Sequence, residues 1–155
     1  MKNRNLNHSD NWETPPQFYE ELNKEFNFDF DPCPIMYDEI TPDKDGLLIE
    51  WGNVNFVNPP YSRKLKEAFI IKALEESKKG KTCVLLIPVS TSTKIFHEVI
   101  KPNAKEIRFV KGRIPFAGIN QKGQYVNWHN SKLPAPENAE FVNNSGMHDS
   151  MVVIF

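Results

Sequence analysis

The chain has 155 residues, with 19 basic and 20 acidic side chains and a formal net charge of −1. This length suits a single domain with a sizeable core, and the balanced charge argues against a tail or stripe for non-specific nucleic-acid binding. Two cysteines, Cys33 and Cys83, make neither a disulfide framework nor a metal site, and the four histidines lack ligand spacing, so we expect no bound metal. Without an apolar run of membrane length or a signal-like N-terminus, we expect a soluble cytoplasmic protein.

Turn residues and apolar spacing predict the first elements of the chain. Residues 1–11 are polar, and we expect them to be flexible. A helix follows, with Thr14 as its N-cap, Pro15 at its first position and Asn27 at its end. Its apolar face is formed by residues spaced four apart: Phe18, Leu22 and Phe26. Residues 28–31 are typical of a short strand, which the following proline-rich turn would end.

Strands and helices alternate over the rest of the chain. The sequence predicts, in order, a strand over 54–57, a helix over 63–79, a strand over 82–87, a helix over 93–100 and strands over 106–110 and 151–155. The run at 82–87 is continuously apolar, as in a central parallel strand that is covered on both faces. This alternation predicts an α/β fold, with helices on both faces of a mostly parallel sheet. Ligands bind such sheets at the carboxyl ends of their strands, which is where Asn58-Pro59-Pro60-Tyr61 stands.

The motif Asn58-Pro59-Pro60-Tyr61 resembles the catalytic loop of the enzymes that methylate exocyclic amines, although a Pro-Pro turn with a buried tyrosine is the simpler alternative. Taken in order, further segments make the chain similar, from Trp12 to about Phe116 and again at the terminal strand, to the small phage-type DNA adenine methyltransferases, the Dam-like family. These segments are Trp12-Glu13-Thr14-Pro15, Phe28-Asp29-Phe30-Asp31-Pro32-Cys33, Asp45-Gly46-Leu47 with Trp51, Leu86-Ile87-Pro88, and Gly112-Arg113-Ile114-Pro115-Phe116. The resemblance implies transfer of a methyl group from S-adenosylmethionine to the 6-amino group of adenine, in double-stranded DNA of a bacterial or phage-infected cell.

The residue types of the motif suit this chemistry. An exocyclic amine is a poor nucleophile because its lone pair is delocalised into the ring. The Asn58 side-chain oxygen, with the backbone carbonyl of Asn58 or Pro59, offers two acceptors that localise the lone pair and stabilise the developing positive charge. Pro59 and Pro60 stiffen the loop and remove backbone donors, and Tyr61 offers a face on which a flipped base stacks.

The resemblance also implies a set of residues that bind the cofactor. Trp12, Thr14 and Pro15 resemble the segment on the cofactor side of such enzymes, and Asp31-Pro32-Cys33 resembles their cofactor loop. The Asp31 carboxylate suits a methionine ammonium or a ribose hydroxyl, but it could equally cap a turn. Asp45 could bind cofactor hydroxyls or simply start the Asp45-Gly46 turn, and Trp12 could simply pack on the first helix.

The segment after the predicted cofactor loop is short. No glycine-rich loop follows Asp31, and the distance along the chain to residue 57 leaves no room for two further βα units. We therefore expect a trimmed Rossmann-like methyltransferase sheet of about five strands. We expect residues 1–155 to form one methyltransferase domain.

Residues 117–149 are predicted to form a long loop, which is the segment left to contact DNA. Arg113 at its entrance and Lys122 suit phosphates, while Tyr125 or Trp128 could wedge or stack. The alternative is a solvated loop with one aromatic side chain folded back onto the core. The resemblance leaves other substrates open as well, namely the cytosine 4-amino group, RNA or a protein glutamine, as it does a non-catalytic relic that binds nucleic acid. The recognition sequence and the oligomeric state do not follow from the sequence.

Overall fold

The computed structural model describes residues 2–4, 8–36 and 39–155 of the chain. Its elements in chain order are β1 (Trp12–Glu13), α1 (Pro16–Phe26), β2 (Val54–Val57), α2 (Arg63–Ser77), β3 (Thr82–Pro88), a π-helical segment (Ile95–Ile100) that runs into α3 (Lys101–Asn103), β4 (Glu106–Arg113), β5 (Ala117–Ile119), β6 (Tyr125–Val126), β7 (Phe141–Val142) and β8 (Asp149–Ile154). Short 3-10 turns lie at His8–Asp10 and Trp128–Asn130. The predicted flexible segment 1–11 is described only in part: Arg4 exchanges two backbone hydrogen bonds with Ile40, and residues 1 and 5–7 lie outside the described residues.

The strands form two four-stranded sheets, with the orders β2-β3-β8-β4 and β1-β5-β6-β7. The first, which we call the core sheet, contains the long strands. There β2 and β3 run parallel, and β8 runs antiparallel to both β3 and β4. In the second, which we call the small sheet, β5 runs antiparallel to β1 and to β6.

The predicted mostly parallel sheet of about five strands, with its Rossmann-like form, is therefore wrong. Apart from β2–β3 and β6–β7, every strand pair in the described part of the chain is antiparallel. Residues 28–31 contribute only an isolated parallel bridge, between Phe30 and Asn55. The prediction failed because composition shows that a strand is buried on both faces but not which way it runs. The C-terminal strand reaches the core sheet directly from the small sheet, without a crossover helix, and so it enters antiparallel.

The segment 117–149 differs from the predicted long loop, since it carries β5, β6, β7 and the turn at Trp128–Asn130. These strands are only two or three residues long. A strand of that length is too short to show the alternation of apolar and polar residues that predicts a strand. The sequence therefore predicts a loop for this segment, although its pairing with β1 makes it part of a sheet.

The core lies on both faces of the core sheet. Alternate residues of β3 point to opposite sides: Cys83, Leu85 and Ile87 pack with Phe69 and Ile70 of α2. Val84 and Leu86 pack on the other face with Leu22 of α1, Phe56 and Val152. This confirms the prediction that the apolar run at 82–87 is covered on both sides. Because β2 pairs with β3, Asn58 follows directly after a strand that is held in this sheet.

A buried carboxylate anchors α2 to the neighbouring loop. Glu76 has no exposed side-chain surface, and its oxygens contact Lys72 at 3.0 Å and Lys81 at 2.7 Å. Burial alone would raise the pKa of Glu76, but hydrogen bonds from Lys81 and Lys72 outweigh it and lower the pKa to about 2. Glu76 is therefore charged in the folded protein at neutral pH.

Two general features bear on function. No helix in the described part of the chain is long and apolar enough to cross a membrane. Among the described residues there is also no group of three or more His, Cys, Asp or Glu side chains that could hold a metal ion.

Candidate active site

Strand β2 ends at Val57 and delivers Asn58 to the edge of the core sheet. The side-chain nitrogen of Asn58 donates to the backbone carbonyl of Trp12 at 2.5 Å and to the Thr14 hydroxyl at 3.1 Å. A carbonyl can only accept a hydrogen bond, so these contacts fix which end of the amide is nitrogen. The side-chain oxygen of Asn58 is buried and accepts no hydrogen bond from the described residues. An unmade hydrogen bond of this kind costs about 1–3 kcal/mol, which is typical of functional sites.

The backbone carbonyl of Asn58 is already engaged. It accepts a hydrogen bond from the Cys33 thiol, with the sulfur 3.2 Å away. Burial and the nearby Asp31 carboxylate raise the pKa of this thiol, so Cys33 is a protonated donor and not a thiolate nucleophile. Of the two backbone carbonyls that the sequence left open as a second acceptor, that of Asn58 already uses one lone pair, which favours Pro59.

Tyr61 is held between the two sheets. Its backbone N–H donates to the carbonyl of Asp10 at 3.0 Å, and its ring lies 6.2 Å from the Trp12 ring at an interplanar angle of 24°. Phe116 and His148 meet the Tyr61 ring edge-on, at 5.9 and 6.1 Å between centroids. Burial raises the pKa of the phenol, so Tyr61 stays neutral and serves as an aromatic surface.

A cavity of about 560 Å³ lies between Tyr61 and the small sheet; we call it the large cavity. A nucleobase or nucleoside would fit this volume, which lies within the ordinary range of ligand sites. Aromatic and apolar side chains line one part of it, and amides, one lysine and one histidine line the rest. The lining includes Trp12, Tyr61, Ile114, Phe116, Asn120, Lys122, Gln124, Asn127, Asn143, Asn144, Met147 and His148.

A much smaller cavity, of about 10 Å³, is also lined by Trp12 and has room for about a single water molecule. It is enclosed by Asn58, by residues 10–12 and by residues 32–36. Trp12 lines both this cavity and the large one, whereas Asn58 lines only the small cavity of the two. The structure brings the predicted cofactor-side residues Trp12, Pro32 and Cys33 together around Asn58.

Asp31 lies at the same edge of the core sheet as Asn58, because the bridge between Phe30 and Asn55 is parallel. One of its oxygens accepts a hydrogen bond from the Cys33 N–H at 3.0 Å, as in a capped turn. The side chain is exposed at the sheet edge, yet protein atoms crowd the carboxylate. Desolvation raises its pKa to about 6, and the Cys33 hydrogen bond offsets only part of this rise. No cation among the described residues is paired with it.

The other predicted cofactor residues have structural partners. Pro15 is buried at the start of α1, and Thr14 binds Asn58 where the sequence had predicted an N-cap. Asp45 forms a bidentate ion pair with Arg4 and accepts the Leu47 N–H, so the structure shows its turn-forming role. A cofactor contact by Asp45 stays a prediction.

The predicted DNA-contacting residues are dispersed. Lys122 lines the large cavity, and the exposed Arg113 lies 3.6 Å from the Asp149 carboxylate. Trp128 is only 7% exposed, and its ring packs edge-on against Tyr125 with 4.8 Å between centroids. Trp128 is thus the aromatic side chain of the segment that folds back onto the protein.

Sequence reasoning missed the residues that hold the site together. Gly118 faces Trp12 across the β1–β5 pair, and a Cβ atom there would lie 2.6 Å from the Trp12 ring. A buried residue with positive φ, Asn127, donates to the carbonyls of Phe116 and Asn144 and accepts the Asn144 N–H. Of these two residues, only Gly118 could have been recognised from the sequence, because an isolated glycine among apolar residues often marks the close approach of another segment.

Comparison with known proteins identifies the family. Residues 2–154 match the family of DNA N-6-adenine-methyltransferases (Dam). A protein of Haemophilus phage HP1 (strain HP1c1), named DNA N-6-adenine-methyltransferase, is 35% identical over 131 residues, covering 78% of this chain and 73% of that protein. No solved structure matches the chain. The chain therefore belongs to the DNA N-6-adenine-methyltransferase family of enzymes, as its ordered motifs predicted.

Proposed function

We propose that this enzyme transfers the methyl group of S-adenosylmethionine to the 6-amino group of an adenine that has turned out of double-stranded DNA. The observation that carries the proposal is the buried side-chain oxygen of Asn58, which has no partner among the described residues. An exocyclic NH₂ group is the donor that would satisfy it. The family match and the curated relative support adenine in DNA as the substrate.

Asn58 would grip the amine as follows. Its side-chain oxygen accepts one amine hydrogen, and the Pro59 carbonyl accepts the other, because the Asn58 carbonyl is engaged by Cys33. The two acceptors draw the nitrogen lone pair out of the ring. They then stabilise the positive charge that develops on the nitrogen, until a proton leaves to solvent. The contacts from Asn58 to Trp12 and Thr14 hold the side-chain oxygen in place throughout.

The polar groups beside Asn58 fit S-adenosylmethionine. The cofactor, when bound, supplies an electrophilic methyl group on a sulfonium centre. Asp31 is a desolvated carboxylate without a described cation partner, so its raised pKa would return towards normal beside the methionine ammonium. The small cavity is far below the size of a nucleoside, so residues 10–12 and 32–36 would have to move apart for the cofactor to enter.

The large cavity suits the ring of the flipped adenine. Asn58 lines the small cavity and not this one, so Trp12, which lines both, would have to shift for the amine to reach the Asn58 oxygen. Tyr61 offers its ring as a stacking surface, and the edge-on contacts with Phe116 and His148 keep that ring in one orientation. Lys122 on the cavity wall and the exposed Arg113, just before the segment 117–149, would contact phosphates, while Tyr125 stays a candidate for stacking. DNA in the cytoplasm of a bacterial or phage-infected cell is the substrate that we propose.

The test is methyl transfer from labelled S-adenosylmethionine to unmethylated double-stranded DNA, followed by nucleoside analysis. We expect label in N6-methyl-2′-deoxyadenosine for the unaltered chain, and at least a hundredfold slower transfer for Asn58→Ala, because preorganised acceptors of this kind contribute about 10²–10³ in rate. Asn138→Ala, at an exposed position, is the matched control and should retain full activity. Label in methylcytosine, RNA or protein would contradict the choice of adenine, and absence of cofactor binding would point to a relic.

A further inference from the structure

Met147 stands out among the apolar side chains of the protein. It is 70% exposed, which is more than any other large apolar side chain in the described part of the chain. It also lines the large cavity, next to His148, whose ring lies edge-on to Tyr61. The most exposed apolar side chain is therefore at the cavity that we propose for the flipped base.

The loop that carries Met147 is fixed at several points. Asn144 exchanges two hydrogen bonds with the buried Asn127, at 2.6 and 2.8 Å. At Gly146 φ is +95°, and a Cβ atom there would lie 2.7 Å from the carbonyl oxygen of Ile114. After the loop, the carbonyl of Asp149 accepts the Val89 N–H at 2.8 Å. The exposure of Met147 is thus imposed by a pinned loop and not by a loose terminus.

Other exposed apolar residues do not share this position. Phe109 is 66% exposed on β4, and Phe141 is exposed on β7, where its ring lies 6.1 Å from that of Tyr125. Neither of them lines the large cavity. Of these three exposed apolar residues, only Met147 lines the cavity that Tyr61 also lines.

We propose that Met147 enters the double helix beside the target adenine and fills the space that the base leaves when it turns into the large cavity. The inference rests on the proposed function. A base that leaves the stack exposes the apolar faces of its neighbours, and an inserted apolar side chain covers them. Methionine suits this role because it is unbranched and polarizable, and so adapts to an irregular gap between bases.

The neighbours of Met147 agree with a position on DNA. Lys122 and Asn143 line the same cavity and provide a cation and an amide for the phosphates and base edges around the insertion point. His148 connects Met147 to the stacking surface, because it follows directly in the chain and contacts the Tyr61 ring. Insertion by Met147 and stacking on Tyr61 would therefore occur at one end of the same cavity.

The test compares two DNA substrates that carry the site which the unaltered enzyme methylates. In one the target adenine is paired with thymine, and in the other it lies opposite an abasic position, so that it leaves the stack easily. We expect Met147→Ala to lower kcat/KM at least tenfold on the paired substrate and less than twofold on the other, and Met147→Leu to retain most activity on both. Phe109→Ala is the control, since it removes an equally exposed apolar side chain away from the cavity.

A second readout does not depend on methyl transfer. With 2-aminopurine in place of the target adenine, fluorescence should rise when the unaltered enzyme binds, and Met147→Ala should reduce that rise severalfold. Equal losses of kcat/KM on the two substrates, or no loss on the paired one, would overturn the role of Met147 alone. An unaltered enzyme that methylates adenine in neither substrate would instead overturn the proposed function, and this inference with it.

Discussion

The side-chain nitrogen of Asn58 lies 2.5 Å from the backbone carbonyl oxygen of Trp12, and this contact links the two sheets at the candidate active site. Asn58 follows β2 of the core sheet, whereas Trp12 belongs to β1 of the small sheet. Trp12 also lies against both cavities. The position of the proposed catalytic oxygen therefore depends on a segment 46 residues away in the chain.

Thr14 provides the second contact that orients Asn58, at 3.1 Å from its side-chain nitrogen. Thr14→Val keeps the shape of the side chain but removes the acceptor. We expect kcat/KM to fall severalfold, up to about tenfold, because one hydrogen bond contributes about 0.5–1.5 kcal/mol. The Tm should change little, because the helix gains no cap from Thr14. Thr14→Ser keeps an acceptor and should retain activity. Equal rates for the valine and serine variants would contradict this role.

Gly118 is predicted to control the position of Trp12. The Cβ atom of an alanine there would lie 2.6 Å from the Trp12 ring and 2.8 Å from the carbonyl oxygen of Asn11, so Trp12 must shift. We expect Gly118→Ala to lower kcat/KM more than tenfold, because shifts of about 1 Å at a positioning residue have costs of that order. Gly80→Ala is the control: φ there is +89°, so alanine strains the backbone, but no atom lies within 4 Å of its Cβ position and Gly80 lines neither cavity, so activity should be retained. A Gly118→Ala enzyme with normal kinetics would show that Trp12 does not set the geometry of Asn58.

Asp31 should make both stability and cofactor binding depend on pH. Its pKa in the folded protein is about 6, above its ordinary value of 3.8. The folded state then binds a proton more tightly than the unfolded state, so the contribution of Asp31 to stability is full below pH 3.8 and is lost as the pH rises through about 6. Asp31→Asn should therefore raise the Tm at pH 8 and change it little near pH 4. The same variant should weaken binding of S-adenosylmethionine at pH 8, where the proposed ammonium partner needs the carboxylate.

Calorimetry across this pH range and titration with the cofactor measure both effects of the Asp31 variant. Glu20→Gln, at an exposed position of α1, removes one negative charge elsewhere and should change neither quantity. A lower Tm for Asp31→Asn at pH 8 would show that the carboxylate stabilises the protein without cofactor. Unchanged cofactor affinity would show that Asp31 does not contact the cofactor.

Glu76 should show the opposite dependence. Its pKa is lowered to about 2 from an ordinary value of 4.5, so its contribution to stability is present above pH 4.5 and is lost as the pH falls towards 2. Glu76→Gln removes the charge that Lys72 and Lys81 contact, and we expect it to cost about 3 kcal/mol of unfolding free energy at pH 7, since breaking a buried ion pair is strongly destabilising. The cost is at the low end for such pairs because Lys81 keeps its contact with Glu50. Glu75→Gln, at the exposed neighbouring position, should cost less than about 0.5 kcal/mol. Denaturant unfolding at pH 7 and pH 3 measures the difference, and a cost that does not shrink at pH 3 would contradict the ion-pair explanation.

Local signals in the sequence determined a large part of this protein. The end of α1 at Asn27, the start of α2 after Ser62, the two-sided burial of β3 and the delivery of Asn58 by β2 all follow from capping residues and apolar spacing within a few residues. The ordered motifs likewise predicted the family, and the family match confirms it. These features could be predicted because each depends on neighbours in the chain.

Only the tertiary structure decided the rest. The direction of β8, the existence of the small sheet and the large cavity depend on pairing between segments that are distant in the chain, and strands of two or three residues carry no periodic signal. Composition likewise could not show that Trp12 would orient Asn58, or that the Cys33 thiol would occupy one of the two backbone acceptors. The sequence determined which chemical groups are present, and the tertiary contacts decided which of their hydrogen bonds are left unmade. Among the described residues, one such unmade bond is at the side-chain oxygen of Asn58, where we propose that adenine binds.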